Sequence, residues 1–183
     1  QNLTLFNTNA ASAPVSTSAD ITVNGSLTFS NDKIFNIGSD QLTFGSSATT
    51  SGESTARYIQ TSGSISDDGV SKNYGATGSF TWPIGTTEGY TPATINVGAA
   101  STTGTISIMP VTTEHPNVTN TGLSLSHYWG VSSSGFTGLS NVTHTYVYDD
   151  GDIVGTEAEY VSARFISSSS SWSSGATTDV IEG

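Results

Sequence analysis

The sequence predicts an all-β protein, and three observations support that fold class. Charged residues make up 10 % of the chain, against roughly 25 % in an average soluble domain, so the Glu and Lys that fill helix surfaces are scarce. Thr, Val, Ile, Tyr and Phe suit a pleated, half-buried surface and recur in alternating runs. Small polar segments rich in Gly, Ser, Asn and Asp separate those runs, as turns do.

A loose repeat marks residues 1–54 as a β-rich N-terminal section. Leu3-Thr4-Leu5-Phe6, Leu27-Thr28-Phe29 and Leu42-Thr43-Phe44 each place apolar residues on one face and Thr on the other. Asn24-Gly25 is suited to a tight hairpin turn. The section is therefore either a short hairpin or a set of stacked β-solenoid-like rungs.

Residues 55–183 are predicted to form a second unit, an antiparallel β-sandwich of Ig-like or jelly-roll-like type. The small polar segment 45–54 precedes longer alternating strands, of which 94–97 and 105–109 are the clearest. Such strands indicate sheets with one face in water. In residues 123–131, alternation places Leu123, His127 and Val131 on one core face, and 157–166 is predicted as a further strand.

Composition excludes several classes of function. The chain has 4 Lys and Arg against 15 Asp and Glu, for a net charge of −11, so it lacks the clustered cations that nucleic acid or an acidic membrane surface requires. No run of about 18 apolar residues occurs, so we expect no membrane insertion. Cys is absent, which removes thiolate chemistry.

No catalytic motif accompanies the abundant Ser and Thr. The three histidines, His115, His127 and His144, stand outside any recognisable nucleophile motif. For each, a hydrogen-bonded structural role is more ordinary than a catalytic or metal-ligating one. We therefore expect a protein that is not an enzyme and has no confident metal site or other cofactor.

One acidic segment could bind calcium. Asp149, Asp150, Asp152 and Glu157 supply the oxygen ligands that calcium prefers, close to Gly151. Their spacing does not match an EF-hand, and Asp and Gly also build ordinary turns. The turn is the favoured interpretation, and calcium stays the alternative.

Two aromatic residues are candidates for stacking against a sugar ring. Tyr90 lies in a predicted loop between Gly89 and Pro92, and Trp172 follows a run of serines. Core packing is the more common use of such rings. The two lysines, Lys33 and Lys72, are expected outside buried strand positions, so an internal Lys–Asn cross-link is not expected.

Several segments resemble a region that recurs in large secreted surface proteins of the Bacteroidota. An aromatic-Pro-Ile-Gly turn, followed by Tyr-x-Pro and a strand, lies within residues 78–95. The pieces 126–131 and 148–152, with Trp172 beyond them, are similar to later parts of that region. The resemblance implies export, by the type IX route, and a role in adhesins, surface layers or fibres, and it brings no catalytic residues.

These observations favour a non-catalytic extracellular structural or adhesive protein, a module or subunit of a cell-surface adhesin or fibre. Residues 1–8, with Leu3, Leu5 and Phe6, are the predicted donor strand for assembly by strand addition. Partners would be further copies or neighbouring modules of the same surface protein. The alternative is a carbohydrate-binding module that tethers a cell or an enzyme to polysaccharide.

Overall fold

The computed structural model describes residues 1–6, 14–31, 33–174 and 180–182. It confirms the all-β prediction, with three-residue 3-10 helices at Asp150–Asp152 and Glu157–Glu159. In this described part of the chain, no helix has the length and apolar character needed to cross a membrane.

The first half of the chain forms stacked rungs, each made of three short strands. The first rung contains β1 (Leu3–Leu5), β2 (Val15–Ser16) and β3 (Ile21–Val23); the second contains β4 (Ser26–Phe29), β5 (Phe35–Gly38) and β6 (Leu42–Phe44); the third contains β7 (Thr49–Ser51), β8 (Ile59–Thr61) and β9 (Val70–Asn73). Each strand pairs in parallel with the equivalent strand of the next rung. The result is a solenoid-like arrangement with three sheets, here named A (β1, β4, β7), B (β2, β5, β8) and C (β3, β6, β9).

Registered side chains explain why the rungs stack. Phe35 pairs with Ile59, which in turn pairs with Ile84 of β11 (Ile84–Gly85), the strand that extends sheet B. These three side chains are at most 2 % exposed. Because alternate residues point to opposite faces, Asn36, which follows Phe35, lies on the outer face and is half-buried.

Of the two interpretations for the N-terminal section, stacked rungs are confirmed and the hairpin is wrong. Asn24-Gly25 joins β3 to β4, but these strands belong to sheets C and A and do not pair. A Cβ on Gly25 would lie 1.9 Å from Asn2 Oδ1. Gly25, which has no side chain, therefore allows a tight turn from one rung to the next. Asn-Gly allows a tight turn in hairpins for the same reason.

The later strands extend this arrangement. Sheet C continues from β9 to β13 (Thr105–Val111) and β14 (Tyr128–Ser134), and a separate sheet D contains β10 (Gly78–Trp82), β12 (Ala93–Ala99), β15 (Ser140–Tyr148) and β18 (Val180–Glu182). β16 (Ala163–Ile166) and β17 (Ser171–Ser174) pair as an antiparallel hairpin. The pairings of β9, β13 and β14, and those of β10, β12 and β15, are antiparallel.

The antiparallel β-sandwich predicted for residues 55–183 is not confirmed, because the sheets are mostly parallel. Parallel pairing also crosses the predicted boundary at residue 54, since β5 pairs with β8 and β6 pairs with β9. Alternating apolar and polar residues occur both in rung strands and in antiparallel strands with one wet face. The pattern therefore predicted strands without distinguishing their partners.

A continuous hydrophobic core joins the rungs to the later strands. Trp82 of β10 is fully buried and donates its indole N–H to the carbonyl of Val70 in β9, at 3.1 Å. The Tyr74 hydroxyl donates to the carbonyl of Ile95 in β12, at 3.3 Å. These bonds fix sheet D against sheet C and position β10 beside the third rung.

Two predicted strands begin later than expected. Leu123 is 61 % exposed and Val131 is 39 % exposed, and β14 begins only at Tyr128, so the predicted core face is wrong at both ends. His127 is 3 % exposed, as that face required. The predicted strand 157–166 starts as the 3-10 helix Glu157–Glu159 and becomes extended at Ala163.

Candidate functional site

The strand edges are the first candidate feature. β1, β2 and β3 each lie at the end of their sheet, so along the described chain the whole first rung has strand partners on one side only. β7 ends sheet A at its other side, and β10 begins sheet D. The segments that form these five edges contain no charged residue: LTL, VS, ITV, TTS and GSFTW.

An open cleft separates β7 from β10. Sheets B and C continue beyond their third-rung strands, to β11 and β13, whereas β10 pairs with β12, and no described strand pairs with β7 on that side. The cleft has a volume of about 500 Å³ and is lined by residues 46–50, 53, 72 and 74–81. We call it the β7–β10 cleft.

Lys72 lies at the floor of this cleft and was missed by sequence reasoning. It is 5 % exposed, so the expectation that the lysines avoid buried strand positions is wrong. Its ammonium donates to the carbonyls of Gly45 (2.6 Å), Ser46 (2.9 Å) and Ala48 (3.3 Å). Burial lowers the pKa of this amine. The register of Lys72 with Phe44 puts residue 72 on the inner face of sheet C, and only the structure shows that register.

The rest of the cleft is nearly neutral and rich in hydroxyl groups. Phe80 is half-buried, with its ring centroid 5.1 Å from the Lys72 ammonium. Glu53 accepts a hydrogen bond from the Thr50 hydroxyl at 3.1 Å, while its other oxygen is buried and has no hydrogen-bond partner among the described residues. Ser79 and Thr81 on the outer side of β10 are exposed. Such a lining offers hydrogen bonds and apolar contact without a strong field of one sign.

The predicted donor segment occupies the chain's own first rung. Leu3 and Leu5 pair with Leu27 and Phe29, and Leu5 is 3 % exposed. Phe6 follows the strand and is 63 % exposed. Residues 7 and 8 of the predicted segment lie outside the described residues.

The acidic segment forms a hydrogen-bonded turn. The Asp149 carboxylate accepts from the Gly151 amide, and the Asp152 carboxylate accepts from the Asp149 amide, which together make a capping box. Glu157 accepts from the Tyr148 hydroxyl at 2.6 Å. Asp150 lies in the same 3-10 helix. Within the described ranges, no group of three or more His, Asp or Glu side chains is arranged to hold a metal ion.

The two predicted sugar-stacking residues have different ring neighbours. Tyr90 is half-buried against Tyr58, with centroids 5.6 Å apart, and burial, together with the charge of Glu53, raises its pKa to about 12. Trp172 is 40 % exposed and donates its indole N–H to the carbonyl of Asn117 at 2.8 Å. The two rings therefore belong to separate contacts and do not make one platform.

Trp172 belongs to a surface cluster that the sequence did not predict. His115 has ring centroids 4.8 to 4.9 Å from those of Tyr128, Phe165 and Trp172. This cluster packs the hairpin of β16 and β17 against β14 and the loop that precedes it. Its aromatic residues are far apart in sequence, so only the topology brings them together.

The other two histidines pack against aromatic side chains. His127 packs against Trp129 at 4.7 Å, and its Nε2 is buried without a hydrogen-bond partner. Burial lowers its pKa to about 4, although the nearby Asp152 carboxylate acts in the opposite direction. His144 is within hydrogen-bond distance, 2.8 Å, of the Tyr146 hydroxyl.

Comparison with protein-family models, with curated proteins and with solved structures gives no match to this chain. The strand edges and the β7–β10 cleft are therefore the features from which a function is inferred.

Proposed function

We propose that this protein is a non-catalytic structural or adhesive module of a bacterial cell-surface adhesin or fibre, and that copies associate by adding strands at their uncovered edges. A parallel strand with one side unpaired presents a row of backbone donors and acceptors to any matching strand. Association would convert these groups to hydrogen-bonded pairs, as in strand-addition complexes.

The observation that carries the proposal is the coincidence of three uncovered edges at one rung. β1, β2 and β3 end sheets A, B and C on the same side of the solenoid-like unit. Proteins commonly protect such edges with Lys, Pro or charged side chains, and these three strands contain none of them. An edge of this composition favours pairing over protection.

The two local antiparallel arrays suit a mechanical role. Strands β9, β13 and β14 face strands β10, β12 and β15 through the Trp82 and Tyr74 hydrogen bonds, and we propose that they act as a sandwich-like cap on the rungs. Buried apolar residues continue through both parts. A surface location and export are part of the proposal and derive from the sequence resemblance to Bacteroidota surface proteins.

Lysine substitutions in the edge strands of the first rung test the proposal. Thr4→Lys and Thr22→Lys place ammonium groups on exposed outer positions of β1 and β3. Thr143→Lys is the control, because Thr143 is also exposed but lies on β15, outside the first rung, where it pairs with Asn96 of β12. Light scattering and electron microscopy measure assembly against protein concentration.

We expect the parent and Thr143→Lys to form assemblies at the same concentration. The double edge variant should require at least about tenfold more protein, which corresponds to about 1.4 kcal/mol of lost association free energy. A parent protein that stays monomeric contradicts the proposal, and so do edge variants that assemble like the control.

A further inference from the structure

We propose that the β7–β10 cleft is the acceptor site for β1 of a second copy, which inserts as an added strand and joins sheets A and D. This inference rests on the proposed function and names the two surfaces that meet. The added strand would have β7 on one side and β10 on the other.

The proposed acceptor is the place where the stack of strands in sheet A ends before those of sheets B and C. At the level above the third rung, sheet B continues to β11 and sheet C to β13, whereas sheet A has no further strand among the described residues. Both walls of the resulting cleft are edge strands, and both lack charged side chains. A cleft bordered by two strand edges is suited to an extended peptide segment, because main-chain groups are available on both sides.

Two properties of β1 favour it as the donor: the alternation of its apolar and hydroxyl side chains, and the length of the segment that connects it to β2. Leu3-Thr4-Leu5 pairs with Leu27-Thr28-Phe29, so β1 already stacks an apolar, hydroxyl, apolar sequence on one strand of sheet A. The edge strand β3 has a similar sequence, but only residues 24 and 25 connect it to β4. Nine residues, 6–14, connect β1 to β2, enough chain to span at most about 30 Å when extended. β1 can therefore leave its rung without dismantling the next one.

Packing and charge agree with this pairing. Leu3 and Leu27 share one inner layer with Thr50 of β7, so an inserted β1 would bring leucine side chains toward the half-buried Phe80 ring. Burying apolar surface of this kind contributes favourably to association. Two copies carry −11 each, but residues 1–6 contain no charged side chain and the cleft contains one Lys and one Glu. The contact itself therefore brings no like-charged side chains together.

The absence of Cys from the chain makes a cross-linking test direct. One preparation carries Thr4→Cys, and the other carries either Ser79→Cys or Thr81→Cys on the exposed outer side of β10. The control partner is Thr94→Cys, because Thr94 lies beside Thr81 on the adjacent strand β12, one strand farther from the cleft. Mixed samples are oxidised under assembling conditions and separated without reductant.

Disulfides need Cα atoms about 4.4–6.8 Å apart, a distance that neighbouring strands satisfy and that a second intervening strand does not. We expect heterodimers of Thr4→Cys with Ser79→Cys or Thr81→Cys, at least about tenfold above the Thr94→Cys control. An excess of a peptide with the sequence of residues 1–6 should suppress them, and a scrambled peptide should not. Thermal melting shows that each variant keeps the parent fold.

Three results would overturn the inference. Equal yields with Thr94→Cys would indicate random collision, and a dominant Thr4→Cys homodimer would show that first rungs meet edge to edge. In both cases the protein still assembles, so the proposed function survives and only the cleft assignment fails. A parent protein that remains monomeric would contradict both the cleft assignment and the proposed function.

Discussion

Replacing Lys72 with Met tests how the third rung is held together. The substitution keeps a long, flexible side chain and removes only the ammonium. Two of its three carbonyl partners, on Gly45 and Ala48, belong to buried residues, while Ser46 is exposed to water. A buried acceptor that loses its partner costs about 1–3 kcal/mol, so two of them cost about 2–6 kcal/mol.

Relief of the buried charge offsets part of this loss. Burial lowers the Lys72 pKa, which shows that the ammonium is held at some cost. We therefore expect Lys72→Met to lower the free energy of unfolding by about 3 kcal/mol, equivalent to roughly 6–12 °C in Tm for a chain of this size. Urea unfolding followed by tryptophan fluorescence measures the change.

The control for this experiment is Thr143→Met, an exposed position on β15. Its stability should stay within about 0.5 kcal/mol of the parent. If Lys72→Met is as stable as the parent, or more stable, the carbonyl contacts do not stabilise the turn before β7, and the reasoning is wrong.

Three further predictions concern other parts of the fold. Burial lowers the pKa of His127 to about 4, below the value near 6.5 of an unfolded chain. The contribution of neutral His127 to the free energy of unfolding should therefore be complete above pH 6.5, and about 3 kcal/mol should be lost as the pH falls to 4. In a pH series of urea denaturation, His127→Gln should show a smaller loss over this range. A Cβ on Gly85 would lie 2.1 Å from the Gly89 carbonyl, whereas one on Gly89 has open space, so melting should show Gly85→Ala less stable by about 1–3 kcal/mol and Gly89→Ala nearly unchanged. Trp172→Ala removes the ring that contacts His115, so limited proteolysis should cut the β16–β17 hairpin faster; unchanged cleavage would show that the cluster does not hold it.

The sequence predicted the fold class better than the strand partners. The Leu-Thr-Phe repeat indicated residues that alternate between core and solvent, and Leu27, Phe29, Leu42 and Phe44 are all buried. The same alternation arises in parallel and antiparallel sheets, which is why the sandwich was predicted too broadly. Leu123 continues the same alternation but lies in an exposed turn before β14, which local periodicity cannot distinguish from a strand.

Candidate sites were harder to predict because they depend on topology. The acidic segment at 149–152 is a turn, the preferred interpretation, since its carboxylates bond to nearby amides. The β7–β10 cleft could not be predicted, because it requires knowing that β10 pairs with β12 and leaves β7 uncovered. Lys72 gave no local signal, since its partners are carbonyls 24 to 27 residues away.

The native mass of the purified protein tests most directly whether copies assemble through their strand edges. It is measured across protein concentrations, with and without a chelator, and the same samples are examined by electron microscopy. We predict ordered polymers whose mass rises with concentration and does not change when the chelator is added. A monomer of 18.8 kDa at every concentration would contradict assembly through the strand edges.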